Sequence, residues 1–188
     1  MSESSSRAIR NVFFGAALSV LALSAGYLGW SMGRPVPALE SGGQELPPIL
    51  REFSLDSLDG DSIGPATLEG KAVVVDFWAT WCKPCVVQAR LLEKVYSEYA
   101  ERGVDFVAVS VGEEPDIVRD YVAEKPYSYP VLVDPEGVMG RDGQIYMLPT
   151  VMVLDADRQV VFLGEGITGA PKLRAVLDRL LEPAQPRT

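Results

Sequence analysis

The chain of 188 residues has no histidine and only two cysteines, Cys82 and Cys85. A zinc site takes about four ligands, so two thiolates without a partner imidazole or thiolate do not make one. Covalent haem attachment needs a histidine directly after the second cysteine, where Val86 stands. No second disulfide can form, so cysteine usage says nothing of the compartment. Basic charge is also scarce. The net charge is −9, and it becomes −10 when the first 33 residues, with Arg7, Arg10 and Glu3, are set aside. An acidic surface of this kind speaks against nucleic acid or an anionic membrane surface as a partner. Internal repeats are absent.

What is present centres on Trp81-Cys82-Lys83-Pro84-Cys85. Two intervening residues put both sulfurs within reach of one disulfide. Val73-Val74-Val75-Asp76-Phe77-Trp78, just before, is apolar and β-branched, as a buried parallel strand is. The segment after it has a helical period, and Pro84 suits a first helical turn. A helix N-terminus offers unpaired N–H groups and a positive dipole end, which favour thiolate over thiol at Cys82. Lys83 adds positive charge to the same effect. A structural staple closing so short a loop would restrain the unfolded chain little. A peroxidatic cysteine would have threonine three residues ahead, where Ala79 stands. The pattern reads as a redox-active dithiol.

Val12 to Trp30 is a run of 19 residues without a charge, long enough to cross a bilayer as a helix. Arg7 and Arg10 before it orient the N-terminus inward and the rest of the chain outward. Residues 12–32 are therefore expected to be a transmembrane anchor behind a short cytoplasmic tail (1–11). The other reading is a signal peptide cleaved near Ala22-Leu23-Ser24. No cysteine follows the run, so a lipid anchor is not expected. Residues 33–50, with Pro35, Pro37, Gly42, Gly43, Pro47 and Pro48, form a tether. The folded domain is expected over 51–182, with a disordered tail at 183–188.

Within the domain, Phe53 to Ile63 reads as a hairpin turning at Asp59-Gly60. Ala72–Trp78 is the central strand. Cys85, Ala89, Leu92, Tyr96 and Tyr99 give the apolar face of the following helix, which stops near Gly103. Residues 104–111 form a second strand and complete a β-α-β unit. A helix over about 116–125 presents Ile117 and Tyr121, and a short strand covers 129–133. Residues 151–154 and 159–163 flank a turn at Asp155-Ala156-Asp157-Arg158, whose aspartates suit turn chemistry better than calcium. The last helix, opened by Pro171, carries Leu173, Val176, Leu177, Leu180 and Leu181 on one stripe.

Residues 73–85 (VVVDFWATWCKPC) and Tyr146-Met147-Leu148-Pro149-Thr150, followed by a strand, resemble the thioredoxin superfamily. They are most similar to its membrane-tethered TlpA- and ResA-like branch. The resemblance covers residues 52 to 181. It implies a three-layer α/β fold, a central mixed β-sheet flanked by helices, preceded here by one transmembrane helix. It implies that Cys82 is the exposed attacking thiolate and that Cys85 resolves the mixed disulfide. Pro149 resembles the family's cis-proline, and Leu148 beside it would pair main chain to main chain with the substrate. Trp81 would shape the docking surface, while Trp78 belongs to the core. Asp76 interrupts a strand suited to burial, where an unpaired carboxylate is expensive. The resemblance places it beneath Cys85 as a proton acceptor.

Two positions depart from the tethered branch. Gln88 stands where many members have glutamate, and Asp76 where they often have asparagine. Proton handling thus resembles thioredoxin itself more than the cytochrome-maturation relatives. The expected activity is thiol-disulfide exchange on protein thiols and disulfides, in the reducing direction, without cofactor or metal. A reductase outside the membrane needs a transmembrane thiol electron donor. The expected location is a bacterial cytoplasmic membrane, with the domain on its extracytoplasmic side. An oxidase of the same fold, a tethered binding or chaperone module and a thiol peroxidase are the alternatives.

Overall fold

The computed structural model describes residues 46–182. The expected cytoplasmic tail, the anchor, most of the tether and the tail 183–188 lie outside the described residues. Among the described residues no helix is long and apolar enough to cross a membrane. The elements are α1 (Ile49–Glu52), β1 (Leu55–Ser57), β2 (Ser62–Ile63), β3 (Ala72–Trp78), α2 (Lys83–Tyr99), a 3₁₀ turn (Ala100–Arg102), β4 (Val104–Val111), α3 (Pro115–Glu124), β5 (Val131–Asp134), α4 (Val138–Arg141), β6 (Thr150–Leu154), β7 (Val160–Glu165) and α5 (Ala170–Leu181).

The strands form one mixed sheet in the order β2-β1-β5-β4-β3-β6-β7. β3 pairs in parallel with β4 and antiparallel with β6, so it has neighbours on both sides as well as cover on both faces. Every residue of β3 is buried, and this is why its sequence is nearly continuous Val and aromatic rather than alternating. Strand alternation splits it between two cores. Ala72, Val74 and Trp78 join residues of α2, α3 and α5, including Cys85, Leu92, Val118, Leu173 and Leu177. Val73, Val75 and Phe77 join Leu50 of α1 and Met139 of α4 on the other face. The result is helices, sheet, helices, the layering that the resemblance implies. Each fully buried Leu or Val contributes about 1.5–3 kcal/mol of hydrophobic stabilisation.

Turn chemistry lies where it was read. Gly60 and Gly103 take left-handed conformations at the β1–β2 turn and at the stop of the α2 segment. The Asp155 carboxylate accepts the N–H groups of Asp157 and Gln159, at 3.0 and 2.8 Å. Arg158 adds a tie that the sequence does not announce: its guanidinium donates to the carbonyls of Pro65, Leu68, Gly70 and Asp155, holding the β6–β7 turn against the loop before β3.

Three expectations need correction. The fully buried positions of α2 are Cys85, Gln88, Leu92, Val95 and Tyr99: Gln88 and Val95 join the expected face, Ala89 is only partly buried, and Tyr96 packs against the core from its edge. In α3 it is Val118 that faces the core, and Ile117 is exposed. The packed domain also takes in the end of the tether: Pro48 caps α1, Leu50 is fully buried, and Leu46 and Ile49 pack against the same core.

Candidate active site

The redox pair sits where β3 hands over to α2. Cys82 is the N-cap residue of α2 in an extended conformation, with Lys83 and Pro84 opening the first turn. Its N–H donates to the Ala79 carbonyl at 3.1 Å, and its own carbonyl accepts the Cys85 N–H at 3.1 Å. The two cysteines form a disulfide with their Cα atoms 5.3 Å apart. Cys82 is 4% exposed and Cys85 2%, so the expected contrast between an exposed and a buried cysteine is not present. The reason is geometric: the Cys82 sulfur is bonded to Cys85, which lies on the buried face of α2. Trp81, beside them, is 70% exposed.

The second motif arrives at the same end of the sheet. Thr150 pairs with Phe77 near the end of β3, just before the redox loop departs. The preceding Leu148–Pro149 bond is cis. The Thr150 hydroxyl donates to the Met147 carbonyl at 2.7 Å, and the Pro149 carbonyl accepts the Gly166 N–H at 2.8 Å. Leu148 packs against both cores. Tyr146, Met147 and Ile167 are large apolar side chains left exposed on these loops, as Trp81 is on its own.

Asp76 shares its face of β3 with Val74 and Trp78, the face covered by α2 and Cys85. It is buried, and neither carboxylate oxygen has a hydrogen-bond partner among the described residues. Burial without a compensating donor pushes its pKa up to about 8. A carboxyl of that kind can exchange a proton with a thiol near neutral pH. Trp78 is buried against Tyr121 and Tyr127, as a core residue is.

Two residues have structural roles that the sequence reading did not give them. Glu113, just beyond β4, is buried and accepts the Thr80 N–H at 2.8 Å, the Thr80 hydroxyl at 2.5 Å and the Ser110 hydroxyl at 2.7 Å. It fixes the loop that carries Trp81 and Cys82. Gln88 is fully buried, and its Oε1 accepts the Thr168 N–H at 2.7 Å, tying α2 to the loop before α5. A polar residue spaced three after Cys85 on a helix face was the available signal for Gln88. Glu113 had none, because Thr80, the residue that it holds by two atoms, lies 33 residues away.

A strand–dithiol–helix corner, a cis-proline loop and a buried carboxyl on one mixed sheet define a thioredoxin-like disulfide oxidoreductase. The Redoxin family profile matches residues 35–177. The thioredoxin-like protein YneN of Bacillus subtilis is 32% identical over 166 residues, covering 85% of this chain and 94% of the relative. The thiol-disulfide oxidoreductase ResA of Halalkalibacterium halodurans is 32% identical, covering 79% of this chain and 82% of its own. Among solved structures, a thiol:disulfide interchange protein of the thioredoxin family from Chlorobium tepidum superposes with a TM-score of 0.59 at 30% identity. The match covers 79% of this chain and 98% of that one. The chain belongs to the redoxin family, as a TlpA/ResA-like member of the thioredoxin superfamily.

Proposed function

We propose that this chain is a membrane-tethered, extracytoplasmic protein-disulfide reductase. The observation that carries the reading is the disulfide at the N-terminus of α2 together with a buried, unpartnered carboxyl on the strand leading into it. In the reduced protein the Cys82 thiolate attacks a substrate disulfide, forms a mixed disulfide and releases one substrate sulfur. The Cys85 thiol gives its proton to Asp76, attacks the Cys82 sulfur and releases the second. Two substrate thiols and the Cys82–Cys85 disulfide result. The α2 N-terminus, opened by Lys83 and Pro84, stabilises the Cys82 thiolate. Trp81 and Leu148 receive the substrate chain, and Pro149 holds Leu148 in place.

The uncharged run at 12–32 anchors the domain, and the tether gives it reach from the membrane. Reduced Cys82 and Cys85 are then replenished by a transmembrane thiol donor, and the clients are extracytoplasmic proteins. The reduction potential of the full-length chain, equilibrated against dithiothreitol or glutathione, tests the direction. A value near or below about −230 mV is expected. A value nearer about −120 mV would make the protein an oxidase.

A further inference from the structure

Large apolar side chains are exposed at six positions among the described residues, and four of them, Trp81, Tyr146, Met147 and Ile167, lie on the loops around the dithiol. Short links fix each of the four there. Trp81 precedes Cys82 in the chain. The Met147 carbonyl accepts the Thr150 hydroxyl at 2.7 Å, and Tyr146 is its neighbour. Ile167 follows Gly166, whose N–H donates to the Pro149 carbonyl at 2.8 Å. Leu148, between Met147 and Pro149, packs with the core cluster that contains Cys82 and Cys85. Apolar side chains exposed from three separate loops at one place mark a surface that another chain covers.

The rim of this surface is acidic. β4, β3, β6 and β7 are consecutive in the sheet, and their directions bring the ends of β3, β4 and β7 and the start of β6 to one edge. On the β4 side, Glu113 accepts the Thr80 N–H at 2.8 Å, which sets its exposed neighbour Glu114 beside the redox loop. α3 continues that side with exposed Ile117, Asp120 and Glu124, whose spacings of three and four put them on one stripe. On the β7 side, Glu165 is exposed and pairs with Thr150, the residue after the cis-proline. Three strand steps of about 4.8 Å separate β4 from β7, roughly 14 Å, which an extended chain spans in about four residues.

The nearby cations do not cancel this rim. Arg119 is paired with Asp116 at 2.6 Å and Arg141 with Asp142 at 3.0 Å, while Lys172 lies over the Phe162 ring at 5.1 Å. Lys83, in the first turn of α2, stands at the dithiol itself, where positive charge favours the Cys82 thiolate.

We propose that the protein selects its client disulfides by the sequence around them: the reacting cysteine has apolar neighbours and, within about four residues on either side, lysine or arginine. Trp81, Tyr146, Met147 and Ile167 cover the apolar neighbours. Glu114 and Glu165, on opposite sides of Cys82, meet the basic flanks. The inference rests on the disulfide exchange proposed above and names the class of polypeptide that it serves. The net charge of −10 beyond residue 33 acts in the same sense at longer range, speeding encounter with basic chains and repelling acidic ones.

The test uses the reduced full-length chain and disulfide-linked homodimers of one peptide, with its cysteine between leucines and with lysine, glutamine or glutamate further out. Hydroxyethyl disulfide, small and uncharged, is the reference. Rates from stopped flow are divided by those of dithiothreitol on the same peptide, because neighbouring charges also alter the leaving thiol. The lysine peptide is expected to react on the order of tenfold faster than the glutamate peptide at low salt, with glutamine between, since exposed ion pairs add a few-fold each. The ratio should shrink towards one in about 1 M salt, where the screening length is about 3 Å. In Glu114→Lys/Glu165→Lys the order should reverse. A lysine peptide with serine in place of the leucines should react several-fold more slowly than its parent.

Equal corrected rates for the three peptides, a ratio indifferent to salt, or an unchanged order in the charge-reversed variant each overturns the selection for basic flanks. Equal rates with serine and leucine overturn its apolar half. In all of these results hydroxyethyl disulfide is still reduced, and the exchange reading stands. If the wild type reduces none of the disulfides, hydroxyethyl disulfide included, the exchange reading falls and this inference with it.

Discussion

Glu113 grips Thr80 by two atoms at once, accepting its N–H at 2.8 Å and its hydroxyl at 2.5 Å, while Ser110 of β4 steadies the carboxylate at 2.7 Å. Thr80 lies two residues before Cys82, so this grip decides where the redox loop leaves β3. Glu113→Ala strips acceptors from a backbone N–H and two hydroxyls. Hydrogen bonds to a charged group contribute about 1.5–3 kcal/mol each, and water replaces some of them at this partly accessible site. The variant is expected to lose about 2–4 kcal/mol in urea denaturation and to reduce protein disulfides more slowly. Glu113→Gln, which keeps one acceptor oxygen, should fall between. A Glu113→Ala protein with the wild-type urea midpoint would remove Glu113 from this account.

Asp76 makes stability depend on pH in a direction opposite to that of a salt-bridged carboxylate. Burial raises its pKa from 3.8 to about 8, so between those values the folded state holds a proton that the unfolded chain has released. The folded state binds more protons there, and stability falls as pH rises. The contribution is full below about pH 4, declines through the window and levels off above about pH 8. One pKa unit is about 1.4 kcal/mol, so the whole window is on the order of 6 kcal/mol. Asp76→Asn should flatten this slope, leaving stability near pH 4 little changed and raising it at pH 8. Urea titrations of both proteins at pH 4, 6, 8 and 9 check this. Parallel slopes in the two proteins would mean that Asp76 ionises freely.

What the sequence made legible follows from how local each signal was. The strand Ala72–Trp78, the dithiol and the start of α2 are contiguous, and hydrophobic run, proline and cysteine spacing agree there. The Asp155–Arg158 turn was legible because its hydrogen bonds close within four residues. Gln88 was read only as a departure from the tethered branch, and its burial was missed because apolar periodicity scores Ala89 above a glutamine. Only the Thr168 N–H, 80 residues away, makes burial of that amide tolerable. Ile117 and Val118 are adjacent and equally apolar, so periodicity alone could not choose between them. α1 and α4 have four residues each, too few to show any period.

The two cysteines should divide the reaction. On the proposed assignment Cys82→Ser removes the attacking sulfur, and exchange with any disulfide is expected to stop. Cys85→Ser retains the first half of the reaction but cannot resolve it, so covalent adducts through Cys82 should accumulate. Non-reducing gels and intact-mass spectrometry of the full-length variants, incubated with a protein disulfide, distinguish them. Cys82→Ser with undiminished biological activity would favour a tethered binding module over an enzyme.

Gln88 joins the helix that begins at the dithiol to the loop that lies beside the cis-proline. Its Oε1 holds the Thr168 N–H at 2.7 Å, and two residues earlier the Gly166 N–H holds the Pro149 carbonyl at 2.8 Å. Through these two bonds α2, the 166–169 loop and the Pro149 loop are kept in one arrangement, with Ile167 exposed between the tie points. Gln88→Leu fills similar volume but leaves the Thr168 N–H, buried in the protein, without an acceptor. That loss costs about 1–3 kcal/mol. On the proposed reading the chemistry at sulfur does not need the 166–169 loop, whereas a docked polypeptide would lie across it. Gln88→Leu should therefore reduce a small disulfide such as oxidised glutathione at near the wild-type rate and a protein disulfide several-fold more slowly. The difference should appear in KM rather than kcat. Equal losses on both substrates would place the effect at the dithiol itself and not at the docking loop.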